Sequence, residues 1–262
     1  MKRNQTPELL GFSFEKGGAH TARTMMLDEL RSLLSFIDSP DATKADYSKA
    51  IMEDNCLGKR SGKTRHLTFR HLVDLYSLDS SHILFRALRF FWTRDQLAQP
   101  LLALLCAYAR DSLLRMTAPY ILGIPEGNIS SREALEGFIE NQQPGRFSPA
   151  TLKSTAQNIN STWTKSGHLR GSAKKTRARA QASPASLAYV LLLGHLQGER
   201  GQALFQTEYA KLLDCSLEHS LELAEEAGRR GWIVFKRIGN VMEVQFPSLI
   251  RPEEMEWLHE QN

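Results

Sequence analysis

Apolar residues recur at helical intervals through the first 125 residues, and nothing there alternates with the period of a strand. Leu27, Leu30, Leu34 and Ile37 fall at that spacing in TARTMMLDELRSLLSFI. DYSKAIMEDNCLG reads as a second helix stopped by Gly58, because glycine accepts the left-handed backbone that closes a helix. Thr64 is placed to cap a third, running through Leu67, Leu72, Leu75 and Tyr76. HILFRALRFFW and LLALLCAYARDSLL predict two more. Pro119, Pro125 and Gly127 then mark a boundary.

From residue 126 the pattern changes. Ser130-Ser131-Arg132-Glu133 has the form of a capping box and starts a helix carrying Leu135, Phe138 and Ile139. PGRFSP breaks it. Ser148, with Pro149 at the first helical position, opens another helix that buries Leu152, Ala156, Ile159 and Trp163 and ends at Gly167. Its opposite face holds Ser154, Gln157, Asn158, Ser161 and Lys165. That face has no acid and is rich in groups that hydrogen-bond base edges or phosphates. A basic tract follows at once, giving the helix, turn, helix, loop order of a winged-helix module.

The last segment repeats this order. Pro184 opens a strongly apolar helix ending near Gly198, Thr207 caps EYAKLLD, and Ser216 caps LEHSLELAEEAGRRG. WIVFKRI and VMEVQF flank a Gly239-Asn240 turn, a hairpin signal. Pro252 starts a short final helix, EEMEWLHE. The expectation is a mainly α chain. A helical domain spans 1–125, with a basic helix-turn-helix-like segment, and a helix-turn-helix with a basic wing spans 126–183. A winged-helix domain with a small β-hairpin wing and a C-terminal helix spans 184–262.

Charge sharpens this picture. The net charge of +4 is unevenly spread. Residues 1–140 carry 18 basic and 17 acidic side chains, and residues 199–262 carry 7 and 12. Residues 141–198 carry eight Lys or Arg and no acid, the footprint expected of a nucleic-acid contact. Candidate contacts there are Lys153, Gln157, Asn158, Ser161 and Lys165 on the helix, then Arg170, Lys174, Lys175, Arg177 and Arg179 in the tract. The tract's composition also fits a disordered linker that orders on binding. A second cluster, Lys59, Arg60, Ser61, Lys63 and Arg65, sits where a helix begins, and backbone N–H groups favour an anion there. The third helix of the C-terminal module instead exposes Glu218, Glu222, Glu225 and Glu226, which would repel phosphates. That copy is expected to pack on protein, with Lys236, Arg237 and the Arg229-Arg230 pair as its basic features.

Catalytic patterns do not emerge. LGKRSGKTRH has Gly62-Lys63-Thr64, but Leu57 stands where a phosphate-binding loop needs its first glycine, and no strand leads into it. The eight histidines form no metal-ligand spacing, and no nucleophile-elbow motif is present. No cofactor is expected. Cys56, Cys106 and Cys215 lie far apart, which predicts reduced thiols and a cytoplasmic location. The first residues lack the apolar stretch of a signal peptide. The apolar runs at 100–109 and 185–193 reach only half of the roughly 20 residues a membrane span needs, and predict core helices.

Four stretches, KGGAHTARTMMLDELRSLL, NCLGKRSGKTRH, LLALLCAYARDSLL and TLKSTAQNINSTWTKSGHL, resemble the BrxA family of accessory proteins from bacterial BREX phage-defence systems. They span residues 16–169, and the family's motif maps onto Leu57, Gly58, Lys59, Arg60, Ser61, Thr64 and Arg65. The resemblance implies a mainly helical, non-enzymatic protein with helix-turn-helix modules that binds double-stranded DNA. It also implies a methyltransferase, a large ATPase, a phosphatase-like protein and a protease as neighbours in the defence system. The alternatives are a protein-interaction adaptor within that complex and an RNA-binding protein.

Overall fold

Most helix starts among the described residues follow the side chains able to serve free first-turn N–H groups. The computed structural model describes residues 6–254, apart from Lys16 and Asn240. The turn residue Asn240 and most of the expected final helix EEMEWLHE lie outside the described residues. The first half comprises α1 (Thr6–Leu9), a 3-10 turn (Ala19–Thr21), α2 (Leu27–Phe36), α3 (Lys44–Met52), α4 (Gly62–Tyr76), α5 (Ile83–Trp92), α6 (Gln99–Arg110) and α7 (Ser112–Gly123).

Several boundaries differ from expectation, each for a local reason. α2 begins at Leu27 rather than near Thr21, because Met26 is left-handed (φ 51°). α3 ends at Met52, well before Gly58; the chain then turns at Asn55 (φ 51°) and Gly58 (φ 61°), both left-handed. Ser61, not Thr64, caps α4, and its hydroxyl accepts the Thr64 N–H. LLALLCAYARDSLL is two helices. Asp111 leaves helical backbone (φ −115°, ψ 113°), and its carboxylate accepts the N–H groups of Leu113 and Leu114. Pro119 lies within α7 instead of at a boundary.

The middle of the chain supplies β1 (Ile129–Ser130), α8 (Arg132–Gln142), α9 (Pro149–Lys165), β2 (Leu169–Arg170) and β3 (Lys175–Arg177). These strands form an antiparallel sheet of order β1-β3-β2, pairing Ile129 with Thr176 and Leu169 with Arg177. The basic tract is therefore a hairpin, not a linker. Gly171 (φ 102°) makes its turn possible, since a Cβ there would collide with the Lys174 carbonyl. Ser131 rather than Ser130 caps α8, leaving Ser130 in the sheet with its hydroxyl on Asn160. Ser148 caps α9 as expected.

The last segment holds α10 (Pro184–Leu196), a 3-10 segment (Gly201–Gln206), α11 (Glu208–Lys211), α12 (Leu217–Arg229) and the antiparallel pair β4 (Val234–Ile238) and β5 (Val241–Gln245). Thr207 and Ser216 cap α11 and α12 as their sequences imply. One hydrophobic core runs from Leu10 to Leu249. α6 and α10 form its centre: Leu101 through Ala109 and Ala185 through Gly194 are all buried. The Tyr189 hydroxyl donates to the Leu84 carbonyl (3.0 Å), and the Phe91 ring meets both Tyr189 and Trp232. Both apolar runs are thus core helices, and among the described residues no helix is long and apolar enough to cross a membrane.

Candidate nucleic-acid interface

α9 buries Ala156, Ile159 and Trp163 completely, as their spacing implies. The face expected to be free is largely occupied by residues 19–26. Asn158 donates to the His20 carbonyl (3.0 Å), and Ser154 to that of Thr21 (3.4 Å). Lys165 sits 2.8 Å from the Asp28 carboxylate, whose pKa is held below the usual range mainly by that hydrogen bond. What remains open on α9 is one edge. Lys153 and Gln157 are exposed and Ser161 is half-buried, four residues apart along the helix.

Beneath that covered face lies a contact network no motif announced. His20 Nδ1 lies 2.8 Å from Asp111, and its Nε2 lies 2.9 Å from the Thr162 hydroxyl, which also accepts the Met25 N–H (2.9 Å). The order carboxylate, imidazole, hydroxyl is that of a hydrolytic relay. Here His20 and Thr162 are fully buried and Asp111 is 2% exposed, so no substrate reaches the hydroxyl. The network latches the N-terminal segment onto α7 and α9.

The hairpin divides its cations between two tasks. Arg170 and Lys174 are exposed, and Lys175 is half-buried with its ammonium on the Gly171 carbonyl (2.7 Å). Arg179 meets Glu126 at 3.0 Å, but both side chains are well exposed and such a pair contributes under about 1 kcal/mol. Arg177 is a correction to the expected set. It is buried and grips Asp214 with both terminal nitrogens (2.7 and 2.9 Å), so the interface is redrawn without it. Next to it, His168 bonds Ser166 (2.9 Å) and the Leu212 carbonyl (3.0 Å), and burial pulls its pKa down to about 4. Together they tie the hairpin base to the loop before α12.

The 58–65 turn is similarly divided. Lys59 pairs with Glu29 (3.1 Å), Ser61 serves as the cap, and Arg65 donates to the Met52 carbonyl (2.7 Å). Arg60 and Lys63 stay exposed. Asp28 and Glu29 stand in the first turn of α2, where the helix dipole favours carboxylates. Lys165 and Lys59 both reach them, so the structure brings the two predicted basic regions together at the start of α2.

Between the α8 N-terminus, the open edge of α9 and the hairpin turn lies a groove of about 630 Å³. Gln157, Asn160 and Ser161 line it from α9, and Lys174 and Lys175 from the hairpin. Arg132 also lines it but is held by Glu133 (2.6 Å) and Glu136 (2.9 Å). Asn160 was missed in the sequence because it sits on the buried side of α9. In the last segment, Glu218, Glu222 and Glu225 are exposed, while Glu226 neutralises Arg229 and Arg230 (2.7 and 2.8 Å). Among the described residues, no three His, Cys, Asp or Glu side chains are grouped to hold a metal ion. No protein-family model matches the chain, and no curated protein matches it.

Proposed function

We propose that this protein is a non-enzymatic accessory protein of a BREX phage-defence system, as its resemblance to the BrxA family implies, and that it binds double-stranded DNA mainly through phosphates. In this reading β1, α8, α9, β2 and β3 act as a winged helix, with the basic hairpin as the wing. The observation that carries it is the acid-free hairpin beside the open edge of α9, which together present Lys153, Arg170, Lys174, Lys175 and Arg179. Arg60 and Lys63 form a second, smaller phosphate contact at the start of α4. The working location is the cytoplasm, beside the methyltransferase, ATPase, phosphatase-like protein and protease of the defence system.

About five to seven phosphate contacts predict that log K falls by about 4.5–6 per decade of salt. Fluorescence anisotropy on a random duplex across a salt series tests this. A variant with Lys153, Lys174, Lys175 and Arg179 changed to Ala should lose affinity and slope together, and equal binding by both proteins would sink the reading. Arg177 is left intact in that variant because it belongs to the scaffold.

A second reading, a protein-interaction adaptor, draws on the C-terminal module. There α12 is acidic, and Ile238 and Val241 stand 84% and 74% exposed at the hairpin end. Pulldown with and without nuclease separates the two: a partner retained after digestion supports the adaptor.

A further inference from the structure

We infer that the groove between α8, the edge of α9 and the hairpin turn seats the sugar–phosphate backbone of one DNA strand, with the Asn160 amide as its deepest donor. The inference rests on the duplex-binding reading and adds where a strand lies and which neutral groups hold it. Asn160 lines the groove yet is only 5% exposed. Its carbonyl oxygen accepts the Ser130 hydroxyl (3.1 Å), and its amide nitrogen makes no hydrogen bond. That nitrogen is not among the buried side-chain atoms left without a partner, so it stays open to the groove and a ligand there can reach it.

The groups around Asn160 share its polarity. Gln157 and Ser161 reach the groove with no intramolecular hydrogen bond, and Lys174 and Lys175 form the hairpin wall. The one lining carboxylate, Glu133, is engaged by Arg132. Neutral donors at the floor and ammonium groups at the wall suit a phosphodiester, with its anionic oxygens and its less polar sugar. Ile129, half-exposed at the same groove, offers apolar surface to that sugar. Side-chain amides and hydroxyls on phosphate fix position without reading sequence. The broad face of α9 is meanwhile covered by residues 19–26, which limits base readout.

Asn160→Asp and Gln157→Glu test this. The aspartate keeps an oxygen for Ser130 and turns the idle donor into an anion. Gln157 is exposed and unpartnered, so its variant keeps the test decisive even if Asn160→Asp unfolds the module. Gln206→Glu, exposed in the 3-10 segment before α11, controls for net charge. Anisotropy on three duplexes of unrelated sequence should show each groove variant losing about tenfold or more in affinity, equally on all three. The salt slope should fall by about 1, while Gln206→Glu behaves as wild type. Groove variants that bind like wild type overturn the groove and leave duplex binding standing. A loss confined to one sequence overturns backbone seating in favour of base readout. A wild type that binds no duplex, or only an RNA hairpin, overturns both.

Discussion

Arg177→Ala and Lys174→Ala, three positions apart in one basic tract, should fail in different ways. The Arg177 side chain is 5% exposed and that of Asp214 18%. Removing the guanidinium leaves a mostly buried carboxylate without its cation and takes a donor from the His168 carbonyl. Breaking a buried pair costs about 3–5 kcal/mol, and the partial access of water to Asp214 places this one near about 3 kcal/mol. At about 2–4 °C per kcal/mol for a chain of this size, Tm should fall by about 6–12 °C. Lys174 has no partner to lose. Its replacement should change stability by less than about 0.5 kcal/mol and reduce the salt slope of duplex binding by about 0.9. Scanning calorimetry reads the first effect and anisotropy the second. Removing Asp214 in the Arg177→Ala background should restore part of the lost stability, because the orphaned charge goes with it. If Arg177→Ala melts like wild type, or Lys174→Ala melts as low as Arg177→Ala, the division of the hairpin into scaffold and contact is wrong.

Three further outcomes follow from described contacts. The pKa of His168 is about 4 in the fold against 6.5 ordinarily, so the unfolded chain takes the proton first. Its contribution, about 3 kcal/mol, is present above pH 6.5 and lost as pH falls toward 4; urea midpoints across that window should slope, and His168→Gln should flatten the slope. Thr162→Val strips the acceptor from the Met25 N–H and the partner from His20 and should cost about 2 kcal/mol, read as a lower urea midpoint at unchanged m. A midpoint equal to wild type would mean the latch carries no weight. Gly171→Ala forces a side chain into left-handed backbone at the hairpin turn and should weaken duplex binding more than it lowers Tm; the reverse order would place the turn within the cooperative core.

Features set by neighbouring residues were legible. Ser148, Thr207 and Ser216 cap helices because their hydroxyls reach N–H groups three residues on, a geometry written locally. The core roles of α6 and α10 follow from unbroken apolar runs. The break at Asp111 was hidden, because apolar residues continue on both sides and only the backbone turn makes the carboxylate a cap. Site residues were less legible for a related reason. Nothing near Arg177 separates it from Lys174 or Lys175, and its partner lies 37 residues later. Asn158 reads as a base-contacting amide until residue 20 covers it, across 138 positions. Asn160 shows the reverse: its place on the buried side of α9 conceals a groove opened by Ser130 and the hairpin.

The latch at His20 also sets a schedule for synthesis. Its Thr162 partner follows 142 residues later. At roughly 5–20 residues per second, a ribosome delivers that hydroxyl about 7–28 s after the imidazole. Through that interval Met25 and His20, wholly enclosed in the finished protein, have no α9 to close over them. The first module thus emerges with its N-terminal strap held at His20 by Asp111 alone, and the arrival of α9 adds the Thr162 side of the latch, so the helix beside the groove is also the piece that completes the fastening of the nascent chain's first module.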